Sequence, residues 1–251
     1  MQSIYRDIQK KALQIASDFS LPEFYQDYHC IYEASLMVYE TDPIIAKLRT
    51  FVAGYIESDF GHGMNHVVKV TIDAGALLII EARNAGYPEN IINRRLLIVQ
   101  CAGLLHDIKR KQKEHAIKGS EFAKDLLKSY PLTPDEIEAI RLSIRNHEAF
   151  KSVEKIDSAE GILVSDCLYD ADKFRWGPDN FTETVWDMLA FANTPISKFI
   201  EHYPNSVAGL SKIKNTFRTC TGKKYGPQFI DLGIAIGQVI YEYLKEAYSE
   251  A

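Results

Sequence analysis

The run LLIVQCAGLL (96–105), interrupted by a single glutamine, leads directly into His106-Asp107. A helix that is apolar on every side must be buried against other elements. An ionised carboxylate at the end of such a helix is costly unless it is paired, hydrogen-bonded or bound to a cation. The chain must therefore enclose this segment and also supply something for the imidazole and carboxylate that close it.

The rest of the chain reads as helical, with periods of three to four residues throughout and no sustained strand alternation. Residues 3–19, 22–40 and 43–58 are expected as amphipathic helices. The turn DFGHGMN follows, then a long helix over HVVKVTIDAGALLIIEARN that stops at Gly86. Pro88 opens the helix that carries the apolar run. EHAIKGSEFAKDLLKSY predicts another helix. At TPDE, Thr133 and Glu136 form a capping box around Pro134, starting a helix to about His147. Residues 158–175 predict one more, and three further helices follow from about Asn180, the last over 227–248. No linker or internal repeat divides the chain. The expectation is a single all-α domain over 1–251.

Composition removes several function classes. Hydrophobic residues make up 46% and charged residues 25%, as in soluble globular proteins, and the net charge of −5 argues against general nucleic-acid binding. No segment reads as a membrane span, and the N-terminus lacks the apolar core of a secretion signal. The four cysteines are widely spaced with no CxxC pair, which predicts reduced thiols and a cytoplasmic setting.

Histidine is the informative residue. Of seven, five (His62, His66, His106, His115 and His147) fall between residues 62 and 147. His66 opens an apolar helix, His106-Asp107 ends another, and Asp172 lies in the apolar setting LYDADKF. Imidazoles with carboxylates suit divalent transition metals. Adjacent helical residues point about 100° apart, so the His-Asp pair can share only an ion lying off the helix axis.

The order of these residues, with the contexts GHGMNHVVKV, AGLLHDIKR and YDADKF, resembles the HD superfamily of metal-dependent phosphohydrolases over roughly residues 55–180. The resemblance implies a multi-helix bundle of the HD-domain type with a metal site between helices. It implies His66, His106, Asp107 and Asp172 as ligands of a divalent cation (Mn, Fe, Co, Ni, Zn or Mg). His66 is preferred to His62 because it directly precedes the valine-rich helix, and Asp172 to Asp170 or Asp166 because it directly precedes Lys173. It further implies that a metal-activated water attacks the phosphoester of a small molecule or nucleotide. Asp107 can accept the water's proton, and His62, His115 or His147 can protonate the leaving oxygen. Lys173, with Lys109 or Arg110, would offset phosphate charge, and Arg175 is a weaker candidate. Phe174, Trp176 and Phe181 are expected in the core, and His29 and His202 outside the site.

Two alternatives stay open. A di-iron oxygenase of the same fold needs two more histidine ligands, which His115 and His147 can supply, although the eight residues between His106 and His115 look short for a purpose-built second site. A non-catalytic, nucleotide-binding module is the other. Segments 1–54 and 181–251 are expected to shape the pocket or a homodimer interface.

Overall fold

The computed structural model describes residues 2–56 and 63–248. Among them there is no strand. The helices are α1 (Gln2–Ala16), α2 (Glu23–Asp27), α3 (His29–Thr41), α4 (Pro43–Tyr55), α5 (Met64–Asn84), α6 (Glu89–Leu105), α7 (His115–Leu127), α8 (Pro134–Arg145), α9 (Ala159–Phe174), α10 (Val185–Phe191), α11 (Ile196–Ile213) and α12 (Cys220–Tyr248), with a π-helical turn at Asn180–Thr184 before α10. The chain is all-α.

α5 and α6 form the centre. α5 is buried without a break from Val70 to Ile80, and α6 from Leu96 to Leu105. They pack on each other and on α9, while α8 joins α6 and α9, and α3 and α4 cover the opposite side. A Cβ on Gly103 would lie 2.8 Å from the Thr71 Cα. Only glycine permits that approach of α6 to α5, and the approach sets how near the start of α5 lies to the end of α6. Gln100, the one polar residue in the run, donates from Nε2 to the Ser35 carbonyl (2.8 Å), tying α6 to α3.

The local signals operate as read. Gly86 takes φ +76° just beyond α5. The capping box forms, with the Glu136 N–H donating to Thr133 Oγ1 (3.3 Å) and the Thr133 N–H to Glu136 Oε2 (2.8 Å). Two boundaries differ. The segment 22–40 divides at Tyr28, φ −119°, into α2 and α3. α12 begins at Cys220, with Pro227 inside it. Tertiary contacts hold the turns ahead of the proline: the Thr219 hydroxyl accepts from the Gly222 N–H (2.8 Å), and Glu81 of α5 accepts from the Thr221 N–H (2.7 Å). No described helix is long and apolar enough to cross a membrane.

Candidate metal centre

His66 sits in the first turn of α5, Asp172 in the last turns of α9, and His106-Asp107 immediately after α6. Their ring and carboxylate atoms converge. His66 Nε2 lies 3.2 Å from His106 Nε2 and 3.4 Å from Asp172 Oδ1. Asp107 Oδ2 lies 3.8 Å from His66 Nε2 and 3.7 Å from His106 Nε2. All four residues are buried. An ion held by both His106 and Asp107 would have to lie off the α6 axis, as their adjacency requires.

The other oxygen of Asp107 faces a second group. Oδ1 is 3.4 Å from His115 Nε2 and 3.5 Å from His147 Nε2, and these two ring nitrogens are 3.3 Å apart. Donor atoms of His66, His106 and Asp107 lie within 4.8 Å of one another, as do those of Asp107, His115 and His147. The expectation that His115 follows His106 too closely does not hold. Residues 106–112 form successive tight turns, with Arg110 N–H donating to the Asp107 carbonyl (2.9 Å) and Gln112 N–H to that of Lys109 (2.8 Å). Glu114 then takes φ 59° and α7 starts at His115, aimed back at Asp107. His147 follows α8, where the Asn146 amide brackets Glu154, donating to its carbonyl (2.9 Å) and accepting from its N–H (2.8 Å).

The donor set suits a cation. A backbone carbonyl only accepts, so the contacts His106 Nδ1 to the Gly103 carbonyl (2.7 Å) and His147 Nδ1 to the Ile144 carbonyl (2.6 Å) place the proton on Nδ1 in both rings. Burial lowers the His106 pKa to about 3, so its ring is neutral and its Nε2 lone pair faces the cluster. This orientation by a neighbouring acceptor is what metal-binding imidazoles require. Burial works to raise the Asp172 pKa, but the Lys173 ammonium and the His66 ring outweigh it and hold the carboxyl well below its usual range. Lone pairs and carboxylate oxygens thus meet in a buried space, which a divalent ion fits.

The remaining residues expected at the site divide. Lys173 is buried, its ammonium 2.5 Å from Asp172 Oδ2, so it fixes the carboxylate whose Oδ1 faces the histidines. Arg110 lies at the edge, Nη1 3.0 Å from His115 Nε2 and 3.7 Å from Asp107 Oδ1. Lys109 turns away and lies over the rings of Tyr55 and Phe122. Arg175 belongs to a separate ionic network, pairing with Asp73 and Asp179. His62 lies outside the described residues. Phe174 and Phe181 are core, whereas Trp176 is partly exposed.

Sequence reading missed that network. Lys69 stands one helical turn beyond His66, Asp73 a second turn on, and Arg175 one turn beyond Asp172, so spacing from the proposed ligands was the available signal. Lys69 Nζ donates to Asp179 Oδ1 (2.7 Å) and Glu183 Oε1 (2.8 Å), and the Tyr25 hydroxyl accepts from Arg175 (2.7 Å) and donates to Asp73 Oδ2 (3.0 Å). Sequence reading also missed a groove between α10 and α11 that begins at His66 and Arg110.

No protein-family model and no curated protein matches the chain. The fold is similar to the crystal structure of a predicted HD superfamily hydrolase from an uncultured Thermotogales bacterium, with a TM-score of 0.50, 19% identity, and coverage of 84% of this chain and 98% of that one. The architecture is thus that of an HD-type helical bundle, with the His/Asp groups between its helices, as the three motifs imply.

Proposed function

We propose that the chain is a metal-dependent hydrolase of small phosphoesters. The observation that carries the reading is the position of Asp107, whose two oxygens each face a histidine pair. His66, His106, Asp107 and Asp172 would hold one divalent ion, and His115, His147 and the shared Asp107 a second. When bound, such ions bring water deprotonation near neutral pH and compensate charge on a phosphoryl group. The chain supplies the rest. The Gly103 and Ile144 carbonyls fix the two ring orientations, Lys173 holds Asp172, and burial excludes bulk water from the donor atoms. Arg110, half-exposed beside His115, is placed to meet a phosphate oxygen with a planar fork of donors. The hydrolase named in the similar crystal structure supports the same class of reaction.

The second histidine pair also supports a second reading, a di-iron oxygenase. Elemental analysis of the purified protein, followed by a phosphoester panel with Mn, Co, Ni and Zn, separates the two. We expect turnover abolished by chelation and restored by added divalent ion. His106→Ala should lose the ion shared by His66, His106 and Asp172 and lower kcat/KM by about 10³-fold, the scale of several kcal/mol of charge stabilisation, with its helical circular dichroism retained. Turnover that survives chelation, or a metal content in His106→Ala equal to that of the wild type, refutes the assignment. Two irons with oxygen consumption and no phosphoester turnover would move it to the oxygenase.

A further inference from the structure

The groove that starts at His66 and Arg110 has a volume of about 490 Å³, enough for an organic group well beyond the size of a phosphate. One wall is α10, which presents Val185, Met188 and Leu189 at positions i, i+3 and i+4. The facing wall is α11, with Phe199 and Leu210 at its base. Trp186 and Phe199 meet at 5.0 Å between ring centroids, joining the two helices beneath the groove. Its lining holds the guanidinium of Arg110 and the ammonium of Lys198, which pairs with Glu201 beside the groove, together with Arg175, already paired with Asp73 and Asp179; among the described residues lining it none is Asp or Glu. In a chain of net charge −5 that selection favours an anionic ligand. The polar side chains of the lining, Asn180, Thr184, Thr194 and Ser206, all lie outside α10, so the α10 wall itself offers an aliphatic face, and a nucleoside is the competing ligand. Gly209 lies on the α11 wall, and a Cβ there would meet nothing within 4 Å.

We infer that the substrate is an amphiphilic phosphoester, its anionic head at the His66–Arg110 end and an aliphatic tail along α10. This rests on the phosphoesterase reading above and specifies its substrate class. The test is calorimetric binding of n-alkylphosphonates, ethyl through decyl, to the metal-loaded protein, with AMP in parallel. Affinity should rise by about fourfold for each methylene buried, until the groove is filled. Gly209→Leu has room at its Cβ and a better helix former, so it should fold at least as stably while flattening that rise. Met37→Asp, at an exposed position on α3, should leave the rise unchanged and so exclude general surface adsorption.

Affinity independent of chain length, a rise unaffected by Gly209→Leu, or AMP bound more tightly than decylphosphonate overturns the inference. The two proposals fail separately. Chain-length-dependent binding without turnover of any phosphoester removes the reaction and keeps the tail site. Turnover of short phosphoesters without chain-length-dependent binding does the reverse.

Discussion

α5 and α9 each carry polar groups at two levels. At one, His66 and Asp172 meet His106 and Asp107; one to two turns further along, Lys69, Asp73 and Arg175 meet Tyr25, Asp179 and Glu183. Both clusters are largely buried, yet they solve the cost of burial differently. The second brings its own cations, and the Arg175 guanidinium bridges Asp73, Asp179 and Tyr25. The first gathers imidazole lone pairs and carboxylate oxygens, with Lys173 and Arg110 at its edges. A cluster that supplies its own counter-charge is a structural element; one that gathers acceptors suits an ion from outside. The residue types alone do not separate them, since both contain aspartates in apolar helices.

The difference is open to direct attack. The largest expected effect is in the self-paired network. Arg175→Leu leaves Asp73 and Asp179 without their buried partner and should cost about 3–5 kcal/mol in urea unfolding. A loss below about 1 kcal/mol would mean that the network does not hold the helices.

Next is a pH dependence. Burial pushes the Asp73 pKa up to about 6, against the Arg175 charge and the Tyr25 hydrogen bond. A carboxyl whose folded pKa lies above its unfolded value binds its proton more tightly when folded. Its ionisation therefore subtracts stability above pH 6, and that penalty is relieved as pH falls from about 6 to 4. Asp73→Asn should remove this dependence, so that wild type gains on the variant by about 2 kcal/mol between pH 7 and pH 4. Parallel unfolding curves at the two pH values would contradict the shift.

The smallest effect is expected at the acceptor cluster. In chelator-treated protein, Asp107→Asn replaces a carboxylate crowded by ring nitrogens with a neutral isostere, and stability should change by less than about 1 kcal/mol. The same substitution should abolish stabilisation by added divalent ion. A loss as large as that of Arg175→Leu would erase the distinction between the two clusters.

Much of the bundle was legible. The apolar run of α6, the Gly86 stop, the Thr133–Glu136 box and the motif residues His66, His106, Asp107 and Asp172 could all be placed from local pattern. The break at Tyr28 and the early start of α12 could not, because one depends on a single backbone dihedral and the other on Glu81, far away in the chain.

Helical periodicity and end signals are local properties, and they determined the class, most element positions and the residues able to meet an ion. Tertiary structure alone decided which oxygen of Asp107 faces which histidine pair, that Lys109 goes to aromatic rings and Lys173 to Asp172, and that a groove with no described Asp or Glu in its lining runs from the cluster between α10 and α11. The reason is geometric. A sequence fixes where a side chain points relative to its own helix axis, whereas convergence depends on the distances and angles between axes. Those are set by packing between segments far apart in the chain, such as the approach of α6 to α5 at Gly103.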